Sequence, residues 1–282
     1  MPAQNIAISH ADTGLVTAEV GRAERISPSF VRLTLVGPEL RQWRHIGFDQ
    51  WFRLAIPVAG DTTRFDRLSE RFDMRGYLRY LTLPKATRPA IRSYSVREFR
   101  AEAGEIDVDC VVHGAPHDPS AGSAHDAGIA GPWAASLPQG ARVALIDQGC
   151  GYRPTKSAAP HIVLAGDESA LPAVAGILRD LPRDATGDAL IEVPDPADQQ
   201  PLHAPDGVAV HWLTRSPHDR PGTAALERLR ELPAWDPTPS NREFRAFVAG
   251  EQQLATGGRR ALVAERGVAK ADVTFCGYWR QK

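Results

Sequence analysis

The sequence predicts a two-domain chain of mixed class, an all-β half followed by an α/β half, on three observations. Its 282 residues are enough for two cores of ordinary size. Through residue 149, apolar residues alternate with a period of two, and Gly or Pro separates the runs. From residue 161 onward, short continuous apolar runs alternate with helical segments, the rhythm of a doubly wound sheet with helices on both faces.

The first half supplies six strand candidates in order: VTAEVGRAERI, FVRLTLVG, WFRLAIPV, IRSYSVREF, IDVDCVVHG and ARVALIDQG. Strands this short, at hairpin spacing, predict an antiparallel six-stranded barrel. Residues 59–90 interrupt them with Arg, Tyr and Pro in no clear period, a loop with room for a short helix. Residues 115–131, rich in Gly, Pro and Ser with two His, read as a surface loop, either solvated or at a cofactor's edge. YRPTKSAAP, 152–160, suits a linker and sets the expected domains at 1–152 and 153–282. The second half then reads strand HIVLAG, helix ALPAVAGILRDL, strands ALIEV and VAVHWL, helix TAALERLREL, strand FRAFVAG, helix EQQLATGGRRALVAERG and strand DVTFCGYW.

Composition narrows the function classes. Lys and Arg number 33 against 34 acids, a formal net charge of -1, so no global field draws nucleic acid or an anionic membrane, and any anion recognition is local. The N-terminus lacks a signal or transit pattern, and no apolar run has the length of a membrane span. Cys110, Cys150 and Cys276 are odd in number and far apart, which suits a reducing cytoplasm and offers no zinc or iron–sulfur spacing. Redox chemistry here would need an organic cofactor.

The candidate for holding one is RSYSVREFR, 92–100. Residues 92, 94 and 96 share one face of a strand and 93, 95 and 97 the other, so a ligand touching Arg92, Tyr94 and Ser95 lies along an edge or at the strand end. A flat, carbonyl-bearing flavin fits such a place. One arginine would stabilise negative charge on the reduced ring and another would hold a pyrophosphate. The competing reading is a barrel strand whose arginines reach solvent, and Arg100 is read as simply solvated.

Companions along the chain carry a resemblance. RSYSVR resembles the Arg-x-Tyr-Ser/Thr-x-Arg flavin motif of the siderophore-interacting proteins, a branch of the ferredoxin reductase-like flavoproteins. FVRLTLVGPEL, DVDCVVHG, GIAGPWA, AGDESALPAV, VHWLTR, VAGE and GYWR follow in family order over almost the whole chain. The resemblance implies an N-terminal FAD-binding barrel, a C-terminal NAD(P)H-binding-like α/β domain, and reduction of a ferric siderophore in the cytoplasm. Reduction is release, because hard oxygen ligands hold ferrous iron less well than ferric.

Residue by residue, Arg92, Tyr94, Ser95, Val96 and Arg97 carry over as flavin contacts, and His113 and Gly114 as neighbours of the FAD diphosphate or adenine. Gly128, Ala130, Gly131 and Trp133 belong to a segment whose small residues open a helix towards phosphate, with Ile129 where the family has proline. Asp167, Ser169 and Ala170 form the loop a nicotinamide would approach. It is not Gly-x-Gly-x-x-Gly, Ser169 stands for the family's threonine, and the carboxylates of Asp167 and Glu168 cap the helix themselves and repel a pyrophosphate. Arg215 is the candidate for a 2′-phosphate, or else a loop arginine. Glu251 is a ligand or a helix cap, while Tyr278 and Trp279 flank the flavin or pack the core. Lys85 and Arg259 are candidates for the anionic siderophore. A reduced ferredoxin in place of NAD(P)H, or a non-catalytic siderophore carrier, are the readings that stay open.

Overall fold

The computed structural model describes residues 4–6, 13–58, 62–112, 129–233 and 243–281. It forms two compact units. One comprises Ile8–Ile46 and Gln50–Cys150, the other Met1–Ala7, Gly47–Asp49 and Gly151–Lys282.

The first unit holds β1 (Leu15–Ser27), β2 (Phe30–Val36), β3 (Trp51–Ile56), α1 (Met74–Leu81), β4 (Ala90–Ser95), β5 (Glu98–Arg100), β6 (Glu105–Val111), α2 (Ala130–Ala135) and β7 (Arg142–Gly149). Its strands make one antiparallel sheet in the order β4-β3-β7-β1-β2-β6-β5. Alternate residues such as Leu33, Leu35, Phe52, Leu54, Ile106 and Val108 point into a common core.

Seven strands replace the expected six because RSYSVREFR changes partner midway. Ser95 pairs with Trp51 of β3, and the Val96 N–H then donates to the Gln50 carbonyl at 2.8 Å. One residue later the Arg97 N–H donates to the Asp107 carbonyl at 2.9 Å, and Glu98 pairs with Asp107 of β6. The stretch thus joins the two edges of the sheet, which closes it into a barrel and leaves no long free edge. Val96, 1% exposed, plugs the junction.

The insertion between β3 and β4 contains α1. The Asp73 carboxylate caps it by accepting from the Gly76 N–H at 2.8 Å. Gly76 lies so close to preceding backbone that a Cβ there would sit 2.1 Å from the Arg71 carbonyl oxygen. At the far end Arg88 donates to the Leu81 and Leu83 carbonyls at 2.9 and 2.7 Å, satisfying acceptors the last turn leaves open.

The second unit holds β8 (His161–Gly166), α3 (Leu171–Asp180), β9 (Thr186–Val193), β10 (Gly207–Thr214), α4 (Thr223–Glu231), β11 (Phe244–Glu251), α5 (Gln252–Arg260) and β12 (Val273–Trp279). All neighbours in the order β10-β9-β8-β11-β12 are parallel. The continuous apolar runs follow from burial on both faces. Right-handed crossovers place α3 and α5 on opposite faces, since β8 to β9 and β11 to β12 run in opposite directions across the sheet. Ala225 and Leu229 of α4 and Leu254 and Ala255 of α5 share one core with Val163, Ala165 and Val248. The β12 edge is flanked by the N-terminal segment, where Asn5 donates to the Val273 carbonyl at 2.7 Å and accepts from the Phe275 N–H at 2.9 Å.

Candidate functional site

On the barrel, the chemistry-bearing residues of β4 divide between two faces. Tyr94 stands opposite Phe52 and packs against the barrel core. Its hydroxyl is hydrogen-bonded to the Cys110 thiol, and burial holds the phenol well above its ordinary value of 10. Burial also pushes Cys110 up to about 12, so both groups stay neutral. Ser95 stands on the other face opposite Trp51. Arg92 is exposed, and among the described residues its guanidinium donates only to the neighbouring Ile91 carbonyl, at 2.8 Å.

Arg97 is differently placed. It lies 3.3 Å from the buried Asp109, which also takes a bidentate pair from Arg32 at 2.6 and 2.8 Å. Two guanidinium groups thus share one buried carboxylate at the junction. Arg100, expected to be solvated, instead forms a bidentate pair with Asp107, both bonds 2.8 Å, and a third bond to Glu105 at 2.7 Å. The reason is the partner change at Val96, which brings this end of the stretch beside the acids of β6.

Three side chains on this strand pair have donor groups left without an acceptor among the described residues. The Ser95 hydroxyl has none, the Arg92 guanidinium has one carbonyl for five N–H groups, and the buried Trp51 Nε1 is orphaned. A flavin ring edge and its phosphates are acceptor-rich, so the residues present fit FAD. Trp51 was not among the sequence candidates. Its signal was the Trp opening the strand that pairs with RSYS.

The segment beyond β6 places Ala130 and Ala134 in the barrel core with Trp133 packed against it. Among the described residues, a Cβ on Gly131 would meet only the Val111 carbonyl oxygen, at 3.7 Å. His113, Gly114 and Gly128, with most of the loop at 115–131, lie outside the described residues.

In the second unit the sheet order reverses between β8 and β11, and open α/β sheets bind ligands at the carboxyl ends of such strands. Acids fill that position here. Asp167, fully buried, accepts from the Ser169 N–H at 2.9 Å, the Ser169 hydroxyl at 2.5 Å, the Glu251 N–H at 2.6 Å and Trp279 Nε1 at 3.1 Å. Burial, and then the adjacent Glu168 carboxylate, push Asp167 up to about 7. Ser169 is the only one of these donors whose hydroxyl can turn to accept the proton. Gly250, at φ +123°, is required beside it, since a Cβ would stand 2.5 Å from the Asp167 carboxyl carbon.

Arg215, the expected 2′-phosphate ligand, is engaged by carboxylates. It forms a bidentate pair with Glu168 at 2.6 and 2.8 Å and reaches Glu192 at 3.2 Å. Glu192 in turn accepts from the Gly222 and Ala225 N–H groups at 2.7 and 3.1 Å, capping α4. Glu251 caps α5 by accepting from the Gln253 N–H and is bonded by Arg220 and the Gln281 N–H, each at 3.1 Å. Glu192 and Arg220 escaped the sequence reading, although a carboxylate inside the apolar run ALIEV is a visible anomaly. Ala170 is buried in the turn after Asp167, and Tyr278 is half-buried on β12.

The two siderophore candidates belong to different units. Lys85 is exposed in the turn after α1. Arg259 lays its guanidinium over the Phe275 ring at 5.1 Å.

Comparison with known proteins agrees with this layout. Residues 19–150 match the siderophore-interacting FAD-binding domain and residues 159–282 the siderophore-interacting protein family. An uncharacterized Mycobacterium tuberculosis protein is 36% identical over 273 residues, 93% of this chain and 89% of that one. Ferric vibriobactin reductase ViuB of Vibrio cholerae is 33% identical over 195 residues, 69% of this chain and 66% of that one. The crystal structure of a siderophore utilization protein from T. fusca superposes with a TM-score of 0.71 at 30% identity, covering 99% of this chain and 97% of that one. A ferredoxin-NADP+ reductase from Plasmodium falciparum shares the fold at TM-score 0.62 and 10% identity, over 95% of this chain and 98% of that one. With both halves of the chain matched in order, it belongs to the siderophore-interacting protein family.

Proposed function

We propose that the chain is an FAD-dependent ferric siderophore reductase, acting in the cytoplasm with electrons from NAD(P)H. The observation that carries this reading is the set of unmatched donors on the closing strand and its partner, Arg92, Ser95 and Trp51 Nε1. The names of relatives such as ferric vibriobactin reductase and ferric acinetobactin reductase point the same way. Free cysteines in all three positions suit a reducing compartment.

A bound FAD supplies the conversion between a two-electron donor and one-electron ferric iron. The chain supplies the rest. Tyr94, neutral and anchored to Cys110, gives a fixed wall. Ser95 and Trp51 donate to acceptors along one face. Arg92 brings an unpaired positive charge to the ring or phosphate, and the shared Asp109 holds the Arg97 and Arg32 guanidinium groups in place beside it. In the second unit, Glu168 stands where a 2′-phosphate would have to displace it from Arg215. NADH and NADPH are therefore used with little discrimination, within about tenfold in kcat/KM. The Asp167 carboxylate keeps dinucleotide binding weak, as a charge at a helix N-terminus already neutralised by an acid does.

Anaerobic titration of the FAD-loaded chain with NADH, NADPH and a reduced ferredoxin tests the donor. Bleaching of the flavin by both pyridine nucleotides is expected. Reduction by ferredoxin alone would replace them as donor, and failure to take up FAD at all would make the chain a carrier.

A further inference from the structure

Helix α1 carries its apolar side chains outward. Tyr80 faces the barrel, its ring 5.8 Å from Phe72 and its hydroxyl donating to the Pro89 carbonyl at 3.0 Å. Met74, Tyr77, Leu78 and Leu81 recur at i, i+3, i+4 and i+7, the spacing of a stripe that helices normally bury. They are instead 66, 44, 55 and 42% exposed. Four of the seven exposed large hydrophobic residues among those described stand on this one helix, so the patch is a local construction and not scatter.

Its charges are also one-sided. Arg75 and Arg79 follow one another at i+4 spacing along the flank of the stripe, and Arg71 lies in the turn just before the helix, all exposed. None of the three guanidinium groups has a hydrogen bond or ion pair with another described residue. Lys85, equally exposed, extends the positive charge beyond the helix end. Of the acids nearby, Asp73 is bonded to the Gly76 N–H and Asp66 to Arg64, which leaves Glu70 beside Arg71 against three arginines and Lys85.

The stripe is convex and about 10 Å long at 1.5 Å per residue. Small ligands are held in concavities, so the fitting occupant is an extended surface. The unpaired arginines select an anionic one. Methionine and leucine between arginines, with a tyrosine at the rim, make the composition of a helix that lies in a lipid interface, where long cationic stems reach back to phosphate.

We propose that α1 docks the chain reversibly on an anionic bilayer, with Met74, Tyr77, Leu78 and Leu81 entering the headgroup boundary and Arg71, Arg75 and Arg79 on lipid phosphates. A single two-turn helix makes this a weak, peripheral attachment. The test is co-sedimentation of the full FAD-loaded chain with vesicles of phosphatidylcholine, alone or mixed with phosphatidylglycerol. Binding to the mixed vesicles only is expected, weakening as salt rises. Met74→Glu with Leu78→Glu lowers the partition more than tenfold. Arg75→Gln and Arg79→Gln each lower it about fivefold, the equivalent of about 1 kcal/mol per charge at such a surface. Unchanged circular dichroism and FAD uptake identify these as surface effects. No binding to anionic vesicles at low salt, or binding that Met74→Glu with Leu78→Glu leaves intact, overturns the proposal. So does lipid-free self-association abolished by Leu78→Glu, which would give the stripe to a second copy. Partition is read without electron transfer, so the outcome is independent of the reductase reading.

Discussion

Arg92 and Arg100 stand eight positions apart on one stretch, and the structure assigns them opposite work. Arg92 leaves most of its donors unmatched, so Arg92→Ala is expected to weaken FAD binding roughly tenfold to a hundredfold, the worth of a charge-assisted bond. Its effect on the FAD-free chain stays within about 0.5 kcal/mol. Arg100→Ala leaves the buried Asp107 without its bidentate partner and lowers stability by about 1–3 kcal/mol. Flavin fluorescence titration beside urea denaturation separates the two. Asp167 adds a pH signature. Its folded value near 7 lies above the ordinary carboxylate value of 3.8, so between these the folded chain binds the extra proton. Stability therefore falls as pH rises through that window and levels above it. Asp167→Asn flattens this slope, which denaturation at intervals from about pH 4 to pH 8 reads directly.

At the scale of elements, the alternation of RSYSVREF was legible as strand, but its change of partner was not. Period two reports which face is buried, not which neighbour donates the hydrogen bonds. The junction therefore appears only when β3 and β6 are both in place. Val96 fills it, and Val96→Ala is expected to cost about 2 kcal/mol of barrel stability. Arg100 was misread for the same cause, since its acids lie on a strand that the turn brings alongside. In the second unit, HIVLAG coincides with β8 because a strand buried on both faces reads as a continuous apolar run, and TAALERLREL coincides with α4 to within a residue because its apolar residues recur at helical spacing. The pairing of Asn5 with β12 had no local signal, being a contact across more than 260 positions. The outward stripe of α1 was hidden because a helix of eight residues is too short to show a period within the longer insertion.

For the whole molecule, the two-domain class was written in the change from period two to strand–helix alternation, and the ordered motifs carried the family. The acid-filled switch point was half legible. Asp167 and Glu168 were visible in AGDESALP, whereas Arg215, Glu192 and Arg220 converge on it from strands and turns far apart in sequence. On the proposed reading, an acid-filled switch point means that a pyridine nucleotide is held only in passing. The most direct test reduces the FAD-loaded chain anaerobically with NADH or NADPH, then adds a ferric siderophore and a ferrous-specific chelator. The expected result is that the flavin spectrum returns to the oxidised form as two ferrous ions are trapped per flavin, the ratio of a two-electron carrier to a one-electron acceptor. A reduced flavin that persists in the presence of the ferric siderophore would contradict it.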